Sequence, residues 1–600
     1  LRHLVFDIET DDLKATKIWC ICAVDEDTHE EFVFGPDELQ EGYAFLHAAD
    51  KLVGHNIIGF DIPIVEKFSG LSFKDIKLVD TLVLSRLFNP VREGGHGLER
   101  WGYVLGDHKI DFHEYTVFSQ EMLDYCMQDV RLNLKVFNAL KRESKGFSAE
   151  SVHIEMETFK IICAQRDTGF MLDIPAAEKL LAELNSNMAD IVDQVHTRFV
   201  PKKESILITA LFNKGGALSK SGRLKDGKRV RLTDFEYNEL EESNNKINKR
   251  KEDPNSTIYI DSTVCIYRNI ITEFKLGSRK QIGEYLIDFG WKPKVFTPTG
   301  QPQVDEKILS RVKDIPEAGM IATYLMYQKR IAQVESWLEK CEDDSRVHGF
   351  VNSNGTITGR MTHNSPNLAQ VPNSNSPYGK ECRACWTVPK GSKLVGIDAS
   401  GLELRMLAHY LNDEVYTNEI LNGDIHTANQ KLAGLESRNQ AKTFIYALLY
   451  GAGDAKLGSV AGGGRSIGAR LRKSFFDNLP AFLSLKDRVA REAKKGFVKA
   501  LDGRKVFVRS EHAALNSLLQ SAGSLVMKKA LIIFNDKIKD LPANFVMNVH
   551  DEWQLEVDET IADTVGTLGV ESIIEAGNAF NLNCPLDGEY NVGSNWSVTH

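Results

Sequence analysis

The sequence predicts a multidomain α/β chain, and three observations carry that reading. At 600 residues the chain is several times longer than the roughly 100–200 residues that one hydrophobic core serves. Its first quarter alternates short β-rich runs with amphipathic helical stretches, and the same mixture returns toward the C-terminus. Acidic residues stand on or at the ends of several of these predicted strands, where a period of two puts alternate side chains on one face.

Taken in order, Leu4–Ile8, Ile18–Val24 and Glu31–Phe34 read as strands, and a first domain spans about residues 1–150. The opening Leu1-Arg2-His3-Leu4-Val5-Phe6 reads as strand text, not as an export signal. Helical text follows through Glu155–Arg166 and, after Asp167-Thr168-Gly169, through Pro175–Phe199, which marks a boundary. About residues 201–271 differ in kind. Lys202, Lys203, Lys214, Lys220, Arg223, Lys225, Lys228, Arg229 and Arg231 crowd one half, an acidic run from Asp234 to Glu242 follows, and the whole reads as an insertion with exposed loops. Helical periodicity returns from Ser278 to Asp288 and from Pro316 to Cys341. A second domain over about 151–345 and a third over about 346–600 complete the reading.

Composition excludes several classes. Hydrophobic residues at 42% and charged residues at 26% suit a soluble globular chain, and no apolar stretch reads as long enough to cross a bilayer. The nine cysteines are scattered without framework spacing, which suits reduced thiols and a cytoplasmic setting. Cys382-x-x-Cys385 has ligand spacing, but no second pair completes a zinc site. The net charge of −10 is an average, so local patches decide what the chain binds. Gly451-Ala452-Gly453 and Gly462-Gly463-Gly464 lack the preceding strand that a dinucleotide loop needs.

Two constellations carry chemistry. In Phe6-Asp7-Ile8-Glu9-Thr10 the two carboxylates project from one face of a strand, Asp61 opens an apolar helix after Gly54-His55-Asn56, and Tyr125 and Asp129 lie one helical turn apart. Farther on, Lys393–Asp398 reads as a strand ending in an acid, and Phe545–Leu555 as two strands whose turn carries His550-Asp551-Glu552. Between them, Arg438, Lys442, Tyr446 and Tyr450 are spaced by four. Each step turns a helix about 400°, so two cations and two aromatic rings share a broad face suited to a triphosphate and a base.

The first set resembles the DEDD exonucleases, whose Asp-x-Glu, Asn-x-x-x-x-Asp and Tyr-x-x-x-Asp motifs hold two magnesium ions. That likeness implies Asp7, Glu9, Asp61 and Asp129 as metal ligands or their supports, with Tyr125 orienting the attacking water. The second set resembles motifs A, B and C of the family A DNA polymerases, and the whole chain is similar in layout to the replicative enzymes of short-tailed, T-odd bacteriophages. This implies an RNase H-like exonuclease followed by a right-handed polymerase of thumb, palm and fingers, with the fingers over about 410–530. It further implies two magnesium ions held by Asp398 and Asp551 with the Ala399 carbonyl, and His550 and Glu552 flanking the site at the primer end.

The same resemblance assigns Glu403 to exclusion of a ribose 2′-hydroxyl, and His426, Arg438 and Lys442 to phosphates. Tyr446 goes with acceptance of dideoxynucleotides, and Tyr450 with the template-base position. Arg360, Asn367, Gln370, Arg504, Asn516 and Gln520 are implied contacts to primer-template DNA, made to backbone and minor groove where sequence is not read. Related phage enzymes bind host thioredoxin through a thumb insertion. Here the segment at about 201–271 is expected to hold DNA directly through its basic half, to bind thioredoxin or another processivity factor, or to be a solvated loop. A replicative helicase-primase is a further partner the resemblance implies. Two rivals stand beside the polymerase reading: a hydrolase whose second half only binds DNA, and a non-enzymatic primer-template binder. The first would break a motif among Asp398, Lys442 and Asp551, and none is broken.

Overall fold

The computed structural model describes residues 2–251 and 264–600. It contains two compact units, Leu1–Glu178 with Ser336–His600, and Lys179–Glu335. The division falls later than the sequence boundary near 150 because the helix Ala149–Thr168 buries Ile154, Phe159 and Ile162 and packs against the later elements Ala514–Ile538 and Ala543–Val549.

In the first unit, the N-terminal sheet has five strands in the order Glu31–Phe34, Ile18–Asp25, His3–Thr10, Lys51–Gly54 and Lys77–Asp80. The first three pair antiparallel and the last two join in parallel. His3–Thr10 is central because Leu4, Val5, Phe6 and Ile8 are apolar on both faces, and each is 4% exposed or less. The helix Gln120–Glu143 covers one face. Ser119 caps it by accepting from the Met122 amide, and Met122, Cys126, Val130, Asn133 and Phe137 form its buried stripe.

A second, antiparallel sheet in this unit runs Ala543–Val549, Glu552–Asp558, Ser392–Ala399 and Gly588–Gly593. The helices Ala514–Ile538 and Ala562–Ala579 pack together, and the latter lies on the central strand. Gly569 permits this approach, since a Cβ there would sit 2.3 Å from Ile397 Cδ1. Against the sequence expectation, Glu511–Ile538 is long and apolar enough to cross a bilayer. The apolarity belongs to a core helix: 67% of its most apolar 18-residue window is buried in the protein, with Leu525, Val526, Leu531 and Phe534 at 0% exposure. Between the two sheet halves the chain runs through seven helices, from Leu402–Leu411 to Pro480–Ala493, closed around Phe444, Phe475 and Phe482.

The second unit corrects another expectation. The segment read as exposed loops folds into a sheet of Cys265–Thr272, Lys202–Phe212, Leu218–Leu224 and Arg229–Arg231, with the helix Asp234–Lys251 against it. Residues 252–263 of that segment lie outside the described residues. Ile208, Ala210, Leu218, Leu232, Leu240 and Val264 give the fold its own core, and Glu236 grips Arg268 at 2.6 and 2.7 Å across helix and strand. The charged residues hid that core, in which only six apolar side chains are buried among the described residues, with Leu224, Val230, Tyr237 and Ile266 packed against them. Elsewhere in this unit Phe199, Phe274, Tyr285 and Trp291 pack together, and Ser278 caps the helix Arg279–Asp288.

Candidate active sites

The N-terminal motif acids converge. Asp7 and Glu9 lie on one face of the central strand, Asp61 is the first residue of the helix Asp61–Ser69, and Asp129 comes from the covering helix. Asp61 Oδ1 accepts the Ile8 amide at 3.3 Å, so this acid also ties the helix to the strand. Glu9, Asp61 and Asp129 are 8%, 2% and 3% exposed, which concentrates negative charge where water cannot screen it. Burial, then the charges of Asp61, Glu9 and Asp129, raises the Asp7 carboxyl well above its ordinary range. Burial pushes Glu9 up to about 9 and Asp61 up to about 7. Four acids that destabilise one another's ionised forms make a natural seat for divalent cations, whose charge reverses the penalty.

Two supporting residues escaped the motif reading. Lys109 Nζ stands 2.5 Å from Asp129 Oδ2 and 4.9 Å from the Tyr125 ring centroid. The Tyr125 ring stacks on Phe112 at 5.4 Å. Lys109 lies in irregular chain, where no periodicity singles it out. Asp80, wholly buried, accepts the amides of Asn56, Ile58 and Leu82 and so fixes the turn that presents Asp61. Asp80 also caps the helix Thr81–Phe88, accepting from the Leu82 and Val83 amides, a role any acid before a helix could have.

The second site lies on the other sheet. Asp398 pairs in register with Glu552, and the Ala399 amide donates to the Asp551 carbonyl at 3.1 Å. This brings the end of one strand beside the turn between two others. His550 takes a left-handed backbone, φ 55°, and opens that turn. Burial, followed by Asp551 and Glu552, pushes Asp398 up to about 7, and burial raises Asp551 as well.

Glu552 departs from its expected place at the edge of the site. It is 5% exposed, and its carboxylate accepts from Gln554 and Trp596 at 2.7 Å and faces His600 Nδ1 at 2.8 Å. Burial alone would raise its pKa, but these partners hold it below the ordinary range. Its geometry is that of a buried support for the strand carrying Asp398.

A cavity of about 270 Å³ opens at Asp551, walled by Arg360, Glu403, Tyr450 and His550. The Tyr450 hydroxyl donates to Glu403 Oε1 at 2.5 Å, and Arg360 Nη2 reaches the same oxygen at 3.3 Å. Along the helix Arg438–Leu449, Arg438 and Lys442 are exposed and Tyr446 is half-buried, as the spacing by four requires. Tyr450 caps the helix and is 47% exposed. The helix starts on a capping box of Ser437 and Gln440. Arg438 Nε binds Asp424 Oδ2 at 2.6 Å, while Asp424 caps the helix bearing His426, whose ring lies 6.4 Å from that of Tyr446. Burial, then Arg438 and Lys442, lowers the His426 pKa.

Asn367, Gln370, Asn516, Gln520, His550 and Arg360 line one adjoining groove of about 940 Å³. Arg504, against the sequence expectation, does not join them. It is 3% exposed, with Nη1 2.5 Å from Glu155 Oε1 and Nε 2.7 Å from Asp502 Oδ2, and Lys528 Nζ also meets Glu155, at 2.6 Å. A guanidinium committed to two buried carboxylates ties the core together and has little left for a phosphate.

The profile described as DNA polymerase family A matches residues 240–598. The DNA-directed DNA polymerases of Enterobacteria phage T3 and Escherichia phage T7 are each 33% identical to this chain, with 100% of both chains aligned. The thermostable DNA polymerase I of Thermus aquaticus is 26% identical over 54% of this chain and 42% of its own. Among solved structures, the polymerase domain of Pol1 from M. smegmatis, in complex with DNA primer-template and dNTP, is similar in fold. Its TM-score is 0.77 at 17% identity, over 100% of this chain and 96% of that one.

Proposed function

Because this chain belongs to family A of the DNA polymerases, as a DNA-directed enzyme like those of phages T3 and T7, we propose that it joins dNTPs to a primer 3′ end at Asp398 and Asp551 and removes misplaced ends at Asp7, Glu9, Asp61 and Asp129. One observation supports the synthetic assignment above others. Asp398, on the strand Ser392–Ala399, stands beside the turn that carries Asp551, and Asp551 lines a cavity shared with the tethered pair Glu403 and Tyr450.

The two buried acid clusters fit divalent cations by charge and by oxygen donors, and magnesium is the ion the family generally uses. When bound, such ions would activate the attacking oxygen and stabilise the leaving one. In synthesis Asp398, Asp551 and the Ala399 carbonyl would hold them. Lys442 and Arg438 neutralise the triphosphate, His426 offers it a hydrogen bond, and Tyr446 lies under the sugar and base, where its hydroxyl would favour dideoxynucleotides. Glu403, held by Tyr450 and Arg360, blocks a 2′-hydroxyl, and Tyr450 keeps the template-base position. Arg360, Asn367, Gln370, Asn516, Gln520 and His550 track the primer-template in the adjoining groove. In degradation Tyr125 would orient water toward the 3′ phosphodiester, and the four acids would hold the ions.

In this reading about residues 1–150 form an RNase H-like exonuclease, about 151–345 the thumb, and the rest palm and fingers. The small sheet near residues 202–272 is a processivity element that meets DNA or a factor such as thioredoxin, with a helicase-primase as a further replication partner. All nine cysteines are free thiols, in keeping with the reducing cytoplasm. Primer extension with magnesium and four dNTPs tests the proposal: ordered, template-matched products are expected, and their absence from folded protein would refute it.

A further inference from the structure

Three cysteines that looked scattered in the sequence meet beneath the N-terminal acids. Cys20 and Cys22 are alternate residues of the strand Ile18–Asp25 and therefore share a face. In the antiparallel register Cys20 stands opposite Glu9, and Cys22 opposite Asp7. Opposed residues of such a pair point to the same side, so two thiols and two carboxylates lie in a square. Cys126 reaches this face from the covering helix, three residues before Asp129. The three Sγ atoms lie within 4.8 Å of one another, and Cys126 Sγ is within the same limit of carboxylate oxygens of both Asp7 and Glu9. All three cysteines are 0% exposed, and Asp129 Oδ1 nearby is buried without a hydrogen-bond partner.

We propose that Cys20, Cys22 and Cys126 form a site for a thiophilic divalent cation of the zinc class, with a carboxylate oxygen of Glu9 or Asp7 as fourth ligand. A tetrahedral zinc ion with bonds near 2.3 Å to sulfur sets sulfur–sulfur edges of about 3.8 Å, so closing the thiol triangle asks at most roughly 1 Å of contraction. Small rotations about χ1 supply that. Each Sγ–H that becomes a ligand gives its proton to solvent as the sulfur–metal bond forms, and the metal keeps its oxidation state. Plain packing of small buried thiols explains the burial but not the carboxylates facing them.

The face then has two compartments: oxygen donors that suit magnesium, and sulfur donors that suit softer ions, with Cys126 touching both. A soft ion that draws Glu9 or Asp7 into its own shell disarms the acid cluster, so 3′-end degradation falls while synthesis continues. That consequence rests on the exonuclease reading; the binding itself does not.

The test titrates metal-free full-length protein with cadmium ion as probe and follows thiolate-to-cadmium charge-transfer absorption. One equivalent is expected to bind, zinc ion to compete for it, and Cys20→Ala or Cys126→Ser to weaken binding roughly tenfold or more. A Cys382→Ser, Cys385→Ser variant, which removes the other close pair, should bind as wild type does. Primer extension by each variant reports whether it folds, and Cys22→Val serves if Cys126→Ser does not. Absence of the band, or a band that survives Cys20→Ala and Cys22→Val but is lost with the Cys382 pair, overturns the site. Added zinc should also slow 3′-end degradation in magnesium, reversibly by a dithiol chelator. Binding without that loss overturns the coupling to Asp7 and Glu9 and leaves the thiol site standing.

Discussion

Removing the Tyr450 hydroxyl should loosen exclusion of ribonucleotides without touching any group that meets the metals. The hydroxyl donates to Glu403 at 2.5 Å, and a hydrogen bond to a charged group contributes about 1.5–3 kcal/mol. Two facts point to the lower end. The Glu403 side chain is 25% exposed, and Arg360 still reaches the same oxygen at 3.3 Å. About 1.4 kcal/mol corresponds to tenfold, so Tyr450→Phe should shift the dNTP:rNTP ratio of kcat/KM roughly tenfold toward ribonucleotides. Glu403→Ala should shift it further by clearing the space itself. The double variant should match Glu403→Ala alone, because the hydroxyl acts only through the carboxylate. Single-nucleotide incorporation kinetics with each sugar, in a nuclease-deficient background, measures all three. An unchanged ratio in Tyr450→Phe, or independent addition of the two effects, would refute the reasoning.

Asp7→Ala combined with Glu9→Ala should abolish 3′-end degradation and spare extension, measured on one labelled primer-template; joint loss in a folded protein would contradict separate sites. Glu155→Gln breaks a buried cluster and strands Lys528, which is 1% exposed, so urea unfolding of the unit carrying it should show a loss of about 3–5 kcal/mol. Replacing Lys202–Thr272 by a short linker is geometrically open because those two residues pair in register. The deletion should shorten products per binding event, spare single-nucleotide addition and flatten the salt dependence of processivity; equal product lengths with and without the segment would discount the element.

What was legible in the sequence was whatever a single period could express. Asp7 and Glu9 share a strand face by a period of two, and Arg438, Lys442, Tyr446 and Tyr450 share a helix face by a period near four, and the structure places them so. Arg504 was misjudged because a cation next to a groove in sequence says nothing about Glu155, a carboxylate 349 residues away that claims it. The small sheet was misjudged because its core is a few apolar residues within a charged stretch. Lys109 and the cysteine trio were invisible for a related reason: each depends on the register between strands or on a loop folding back, which no local pattern carries. Glu511–Ile538 shows the converse, a segment whose composition is shared by core helices and membrane spans until its neighbours are known.

The central claim, that synthesis occurs at Asp398 and Asp551, is tested most directly by extension of a primer-template with four dNTPs and magnesium by Asp398→Asn in the Asp7→Ala, Glu9→Ala background. The account expects the parent to extend the primer to the end of the template and the Asp398→Asn protein, folded and still binding DNA, to add no nucleotide. Extension by that variant at a rate near the parent's would contradict it.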